Sequence, residues 1–313
     1  MQKGRVYRST GSWYDIKLNS GDFIKARIGG KFRTLSIKTT NPIAVGDEVE
    51  VSVNSDNEAV IKTISKRENY IIRKSVNLSK EAHIIASNID LAVLLVTISN
   101  PVTSAGFIDR FTVTAEAYNV PLLIVFNKMD VYDDAAMLQL EDYEKAYKIA
   151  GYKTLRTSVT EDIGINEFMD LINGKTVLVS GNSGAGKSTL INKLIPNLEL
   201  KTSEISKSHQ TGKHTTTFAE MFDMNSTTKI IDTPGIKGFG LVDFEKDELS
   251  RYFPEMLDLL EDCKFHNCRH INEPGCKVRS DLEKGCFSKT RYNSYITMYN
   301  EDSEVHYRKN NYS

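Results

Sequence analysis

Several groups of residues in this chain have the types and spacing to do chemistry. Gly181-Asn182-Ser183-Gly184-Ala185-Gly186-Lys187-Ser188, followed by Thr189, is a GxxxxGKST stretch. Glycines at those spacings let successive N–H groups turn inward around phosphate oxygens, Lys187 adds a point charge, and the Ser188 hydroxyl suits magnesium. Thr176 to Ser180 reads as a buried strand and Thr189 to Leu194 opens a helix, the context such a loop requires and a mere glycine-rich turn lacks. A second group, Asn127-Lys128-Met129-Asp130, follows the apolar run Leu122 to Phe126. A carboxylate such as Asp130 accepts two hydrogen bonds from the N1–H and 2-amino edge of guanine, a pair of donors that adenine lacks. Lys128 can lie along the base and Asn127 can tie the loop to its neighbours. Alone this tetrapeptide is a weak signal; at a strand end, in a chain with a phosphate loop, it is a strong one. The turn Thr157-Ser158 is expected to offer backbone N–H groups to the guanine carbonyl.

Two more strand-end segments complete a nucleotide site. Asp232-Thr233-Pro234-Gly235 is a DxxG sequence, in which Asp232 serves magnesium directly or through water and the Gly235 N–H meets the γ-phosphate. Residues 205–217 are polar and include Gly212-Lys213-His214-Thr215-Thr216-Thr217. They read as a switch in which one threonine, Thr216 by preference, binds magnesium. Ile236 follows the DxxG glycine where a water-orienting glutamine would be useful, so unaided turnover is expected to be slow, with His214 the candidate to position water. Separately, Cys263, Cys268 and Cys276, with His266 and His270 between them, fall within 14 residues. Thiolates and imidazole at that spacing suit one closed, structural tetrahedral zinc site. A disulfide scaffold fits poorly with four cysteines in 313 residues. Cys286 stands apart and reads as a buried thiol.

The elements that position these groups can be read from pattern. Residues 5–65 alternate apolar and polar in short runs separated by Gly-Asp, Asn-Pro and Asp-Asn turn signals, giving about five strands in roughly 65 residues. An OB-type barrel is the economical reading, and an SH3-like barrel with Phe32 in its core is the alternative. Lys25, Arg27, Lys31, Phe32 and Arg33 form a candidate RNA-binding strip of cations with an interleaved aromatic. Beyond residue 90, continuous apolar runs alternate with helical patterns, the mark of parallel strands with crossover helices. Lys289, Arg291, Tyr292, Tyr295, Tyr299 and Tyr307 form a helical tail suited either to packing or to stacking on nucleic acid. Residues 1–80 carry 15 Lys and Arg against 8 Asp and Glu, and residues 263–313 carry 9 against 6, leaving −11 in between. Basic ends around an acidic centre point to a polyanion held by the flanking modules.

Ordinary GTPases run phosphate loop, switch threonine, DxxG, then NKxD; here NKxD comes first. In that order, and in its barrel, Asn88-Ile89-Asp90, GKHTTT and terminal cysteine–histidine cluster, the chain resembles the circularly permuted, ribosome small-subunit-dependent GTPases (RsgA, also called YjeQ or YloQ). Departures are small: Asn182 where Gln is commoner, Lys213 for Arg, and Thr157-Ser158-Val159 in the base-binding turn. The resemblance implies a multidomain protein: an N-terminal OB-type β-barrel (1–67), a central circularly permuted P-loop GTPase α/β domain (68–242), and a C-terminal zinc-binding, mostly α module (243–313). It places the zinc histidine at His270 rather than His266. It further implies GTP hydrolysis with magnesium, stimulation by the small ribosomal subunit and its rRNA, and a role in late maturation of that subunit. The other readings are an RNA-binding switch controlled by GTP with little turnover, and an ATP-binding or degenerate phosphate-loop protein whose zinc module does the work, which Asp130 opposes. No apolar run approaches the ~20 residues that cross a bilayer. A cytoplasmic monomer is expected. Gly235, Gly238 and Gly240 lead from the γ-phosphate sensor towards the zinc cluster, so nucleotide state is expected to reach that module.

Overall fold

The computed structural model describes residues 1–29, 42–53, 59–74, 82–198, 200, 218–233 and 246–301. Strands β1 (Gln2–Ser9), β2 (Tyr14–Leu18), β3 (Phe23–Ile28), β4 (Glu48–Val53) and β5 (Ala59–Ile64) close on themselves in the order β1-β2-β3-β5-β4-β1. The β3–β5 pairing is parallel, which separates this OB-type barrel from the SH3-like alternative. Alternation builds its core: Tyr14, Ile16 and Leu18 of β2 point inward to meet Val6, Ile43, Val49, Val51 and Ile61. Phe32, Lys31 and Arg33 lie outside the described residues.

A buried carboxylate joins the barrel to the strand pair beyond it. Strands β6 (Tyr70–Lys74) and β7 (Ala82–Ser87) form a separate antiparallel pair. Asp47 accepts from Arg67 Nε and Nη2, each at 2.7 Å, from Ser87 Oγ at 2.6 Å and from Ala44 N at 2.8 Å. A carboxylate with four donors is satisfied despite complete burial. The turn before it must be glycine: Gly46 has φ +95°, and a Cβ there would lie 2.1 Å from Ser87 O.

The central domain is a twisted sheet with helices on both faces. Its elements are β8 (Leu91–Val96), α1 (Ala105–Ala117), β9 (Leu122–Phe126), α2 (Asp134–Ile149), β10 (Lys153–Arg156), α3 (Ile165–Ile172), β11 (Thr176–Gly181), α4 (Lys187–Leu194), β12 (Glu220–Asp223) and β13 (Lys229–Asp232). The strand order is β10-β9-β8-β11-β13-β12, all parallel except β12. Burial on both faces explains the unbroken apolar runs. Helix starts obey local chemistry: Ser104 and Asp133 cap α1 and α2 by accepting from Phe107 N and Ala136 N. The outer edge of β12 meets β1 antiparallel at Glu220 and Arg8, and Asp223 takes Tyr7 OH at 2.7 Å and Lys17 Nζ at 2.6 Å. Among the described residues no helix is long and apolar enough to cross a membrane.

The C-terminal region comprises a 3-10 turn (Lys246–Tyr252) and helices α5 (Pro254–Leu257), α6 (Lys277–Glu283) and α7 (Lys289–Asn300). Arg291, read from sequence as part of a basic tail, is 1% exposed. Its Nη1 donates to Asp109 Oδ1 of α1 at 2.7 Å, its Nη2 to Glu255 Oε2 at 3.0 Å, and its guanidinium lies 5.0 Å from the Phe253 ring centre. Tyr295 is buried against Phe253, so Arg291 and Tyr295 pack rather than present a stacking face, Tyr292 and Tyr299 are partly buried and Lys289 is exposed; Tyr307 lies outside the described residues. Cys286 is exposed, not the buried thiol expected, because it follows the end of α6 at Gly285 in a solvent-facing turn.

Removing the cation from this triad leaves two buried carboxylates unpaired, which costs about 3–5 kcal/mol. Arg291→Met should therefore lower unfolding stability by about that much in urea titration, while Arg291→Met combined with Asp109→Leu and Glu255→Leu should recover most of the loss.

Candidate functional site

The carboxyl ends of β8, β9, β11 and β13 converge, and their loops hold the motif residues. β11 is buried along its whole length and ends in Gly181, where a Cβ would lie 2.5 Å from Leu95 O of the neighbouring strand. Gly184 and Gly186 have φ of +83° and +100°, open to glycine and strained for other residues. Lys187 opens α4, is largely buried, and donates to Gly181 O at 2.7 Å and Asn182 O at 2.8 Å. Its ammonium is folded back onto the loop that a phosphate would fill. Burial lowers its pKa to about 8, opposed by the field of Asp232. Asp232, at the end of β13 opposite Val179, is raised to about 6 by burial, with Lys187 the countering charge. A buried, reluctant carboxylate beside the first turn of α4, where Ser188 stands, fits a divalent cation: positive charge there relieves the cost of ionising Asp232. Thr233 Oγ1 donates to Val179 O at 2.9 Å and fixes the strand end. Gly235, His214 and Thr216 lie outside the described residues, as do Gly238 and Gly240.

The base loop is tied directly to the phosphate loop. Asn127 Nδ2 donates to Ala185 O at 2.9 Å, and its Oδ1 accepts from Thr157 Oγ1 at 3.0 Å. This contact is why residue 186 must be glycine: a Cβ there would come within 2.4 Å of Asn127 Nδ2. Lys128 adopts φ +68° and donates to Asn100 O at 2.7 Å, laying its stem across the loop after β8. Met129 N–H donates to Thr157 O at 3.1 Å. Asp130 accepts from Ser158 Oγ at 2.5 Å, and that hydroxyl holds its carboxyl below the usual range, ionised and ready to accept. The amides of Thr157 and Ser158 are not free for a base as the sequence suggests. They donate to Phe126 O at 2.8 Å and Ile163 O at 3.0 Å, extending the sheet and closing a turn, so both residues enter the site through their hydroxyls. Tyr132, which no motif announces, accepts from Ile98 N and donates to Asn127 O.

A second cluster lies in the C-terminal region. The ligand atoms of Cys263, Cys268, His270 and Cys276 all lie within 4.8 Å of one another. His270 Nδ1 is 3.7 Å from Cys263 Sγ and 3.4 Å from Cys276 Sγ, close to the edges of a tetrahedron with zinc–ligand bonds of about 2.0–2.3 Å. Exposed His266 is not among them. Burial pushes the Cys268 thiol up to about 12 and raises Cys276 as well, so without a cation they hold their protons. Zn²⁺ reverses that preference, and Lys277 N–H and Arg279 N–H already point at Cys263 Sγ and Cys276 Sγ. The residues fit one structural zinc. Tyr292 OH donates to His270 O at 2.7 Å and Tyr295 OH to Arg269 O, fastening the ligand loop to α7.

On the barrel, Lys25 and Arg27 face outward from β3, and Arg27 stacks over the Trp13 ring at 4.1 Å. Sequence reasoning missed Trp13 and the exposed Phe23, with Lys17 over its ring at 5.6 Å. Phe23 pairs with Lys17 in the β2–β3 register and Trp13 immediately precedes β2, a signal available once the strands are aligned.

Family comparison agrees with this geometry. A model described as RsgA GTPase matches residues 64–242, and one described as RsgA N-terminal domain matches residues 3–61. A protein of Christiangramia forsetii named small ribosomal subunit biogenesis GTPase RsgA is 51% identical over 313 residues, 99% of each chain. The crystal structure of YjeQ from Thermotoga maritima superposes with a TM-score of 0.75 at 29% identity, covering 95% of this chain and 97% of that one. YloQ, described as a circularly permuted GTPase, gives 0.70 at 27% identity, covering 96% and 94%.

Two outcomes test the site. Asp130→Asn should weaken GTP binding by roughly 10²-fold or more and shift preference to xanthosine triphosphate, whose carbonyl accepts from an amide where a carboxylate repels it; competition binding reads both. Cys268→Ala should abolish the single equivalent of zinc measured by atomic emission and lower the thermal midpoint, with nucleotide affinity nearly unchanged.

Proposed function

We infer from the membership of this chain in the RsgA GTPase family that it hydrolyses GTP to GDP and phosphate in the biogenesis of the small ribosomal subunit. The observation that carries the reading is the hydrogen bond from Asn127 to Ala185, which brings a guanine-selective loop against a phosphate loop. The proposed division of labour assigns residues 1–67 to an RNA-binding barrel, 68–242 to the GTPase domain and 243–313 to the zinc module, in a cytoplasmic monomer. Asp130 recognises the base, the amides of residues 181–189 cradle the phosphates, and Lys187 swings from the carbonyls of Gly181 and Asn182 onto phosphate oxygens. Magnesium, bound with GTP, neutralises charge developing on the phosphates. Ser188 and Asp232 would hold it, with Thr216 as a further ligand once the switch orders. Positive charge there would offset the burial that raises the Asp232 pKa in the free protein. Gly235 senses the γ-phosphate and His214 positions water.

Trp13, Phe23, Lys25 and Arg27 support an rRNA-facing barrel, with Lys31, Phe32 and Arg33 assigned to the same strip. Because Ile236 cannot orient water, the subunit should raise turnover by roughly 10³-fold or more, the scale on which partners complete such sites. Phosphate release measured with and without purified small subunits tests this. Stimulation that needs His214 supports the assignment, whereas subunit binding that depends on GTP without faster hydrolysis would favour a nucleotide-controlled RNA-binding switch.

A further inference from the structure

Strands β8 and β9 part at the rung where the base loop begins. Their parallel register pairs Val96 with Phe126, and Asn127 N–H donates to Val96 O at 2.8 Å. In a parallel ladder the next bond runs from Ile98 N–H to the Asn127 carbonyl. Instead, the Tyr132 hydroxyl occupies that rung. It accepts from Ile98 N at 2.9 Å and donates to Asn127 O at 2.5 Å, so one oxygen serves both backbone groups and keeps the strand ends apart. The ring is held as well: Tyr132 is partly buried against the core cluster that includes Ile98, Phe126 and Leu140. Asn127 is thus gripped at its carbonyl by Tyr132, while its carboxamide grips Ala185 and Thr157.

We propose that Tyr132 is a positioning residue of the nucleotide site, its hydroxyl setting the strand separation that aims Asn127 at the phosphate loop. Without the hydroxyl, Ile98 N–H and Asn127 C=O are free to close the rung directly. That closure rotates the peptide of Asn127, draws its carboxamide away from Ala185, and loosens the base loop and phosphate loop together. The ring, and with it the packing, remains in Tyr132→Phe. The proposal rests on the reading of residues 127–130 as the base loop.

The test is a double-mutant cycle on the full-length protein, with fluorescent GDP as probe and thermal unfolding as control. Tyr132→Phe should weaken GDP binding roughly tenfold, the scale of one well-formed hydrogen bond, with the thermal midpoint little changed. In an Asn127→Ala background the same substitution should have less than about a twofold effect, because the hydroxyl acts through Asn127. Unchanged affinity in Tyr132→Phe, an undiminished loss in the Asn127→Ala background, or a loss that follows a lowered thermal midpoint would each overturn the proposal. If Asn127→Ala itself leaves GDP affinity intact, the base-loop reading fails and the proposal with it; if Asn127→Ala weakens binding and Tyr132→Phe does not, only the role of Tyr132 is lost.

Discussion

One carboxamide sets the terms for the nucleotide site. Asn127 spans from the end of β9 to the phosphate loop at Ala185 while holding Thr157 at the end of β10. Because it is a buried polar side chain, it must satisfy its donors and acceptor internally. That requirement fixes the approach of β9 and β11, across the intervening β8, to within a hydrogen bond at their carboxyl ends. It also excludes a side chain at Gly186 and makes the loop after β10 present Ser158 to Asp130. On the proposed assignment, guanine selection and phosphate binding are one geometric problem, solved by the sheet order rather than by either motif alone.

The flanking modules are attached with comparable firmness. Asp47 locks the barrel to β7 through Arg67 and Ser87, and the β1–β12 pairing with Asp223 as a shared acceptor extends the central sheet into the barrel. On the other side Arg291 binds α7 to α1, while Tyr292 and Tyr295 bind the zinc loop to α7. A tethered tail moving independently of the GTPase domain is incompatible with a cation buried between two carboxylates from different parts of the chain. The zinc loop, α7 and α1 are thus joined in series, and α1 succeeds the same strand β8 that pairs with β11 beside the phosphate loop.

The sequence made the local chemistry legible. The phosphate loop, NKMD and the cysteine–histidine spacing carry their meaning within a few residues each, and their order along the chain conveyed the permutation. What remained hidden depends on distant partners. Arg291 looks like one more surface cation until Asp109, 182 residues away, arrives beside it. The amides of Thr157 and Ser158 look available until Phe126 and Ile163 claim them. Tyr132 belongs to no motif because its role lies in a gap between two strands, and exposed Cys286 has an environment fixed by how α6 ends.

The strand order has a consequence for the growing chain. β8, β9 and β10 are adjacent in space and consecutive in sequence, so half the sheet can assemble as soon as it leaves the ribosome, beginning from what becomes the middle. Its inner edge, β8, is an apolar strand with no partner until residues 176–181 emerge as β11. An unpaired apolar edge of this kind recruits other chains. The permutation thus trades a late-arriving central strand for an early half-sheet, and protease protection of chains arrested before and after residues 176–181 have cleared the ribosome would register the moment at which that edge is sealed.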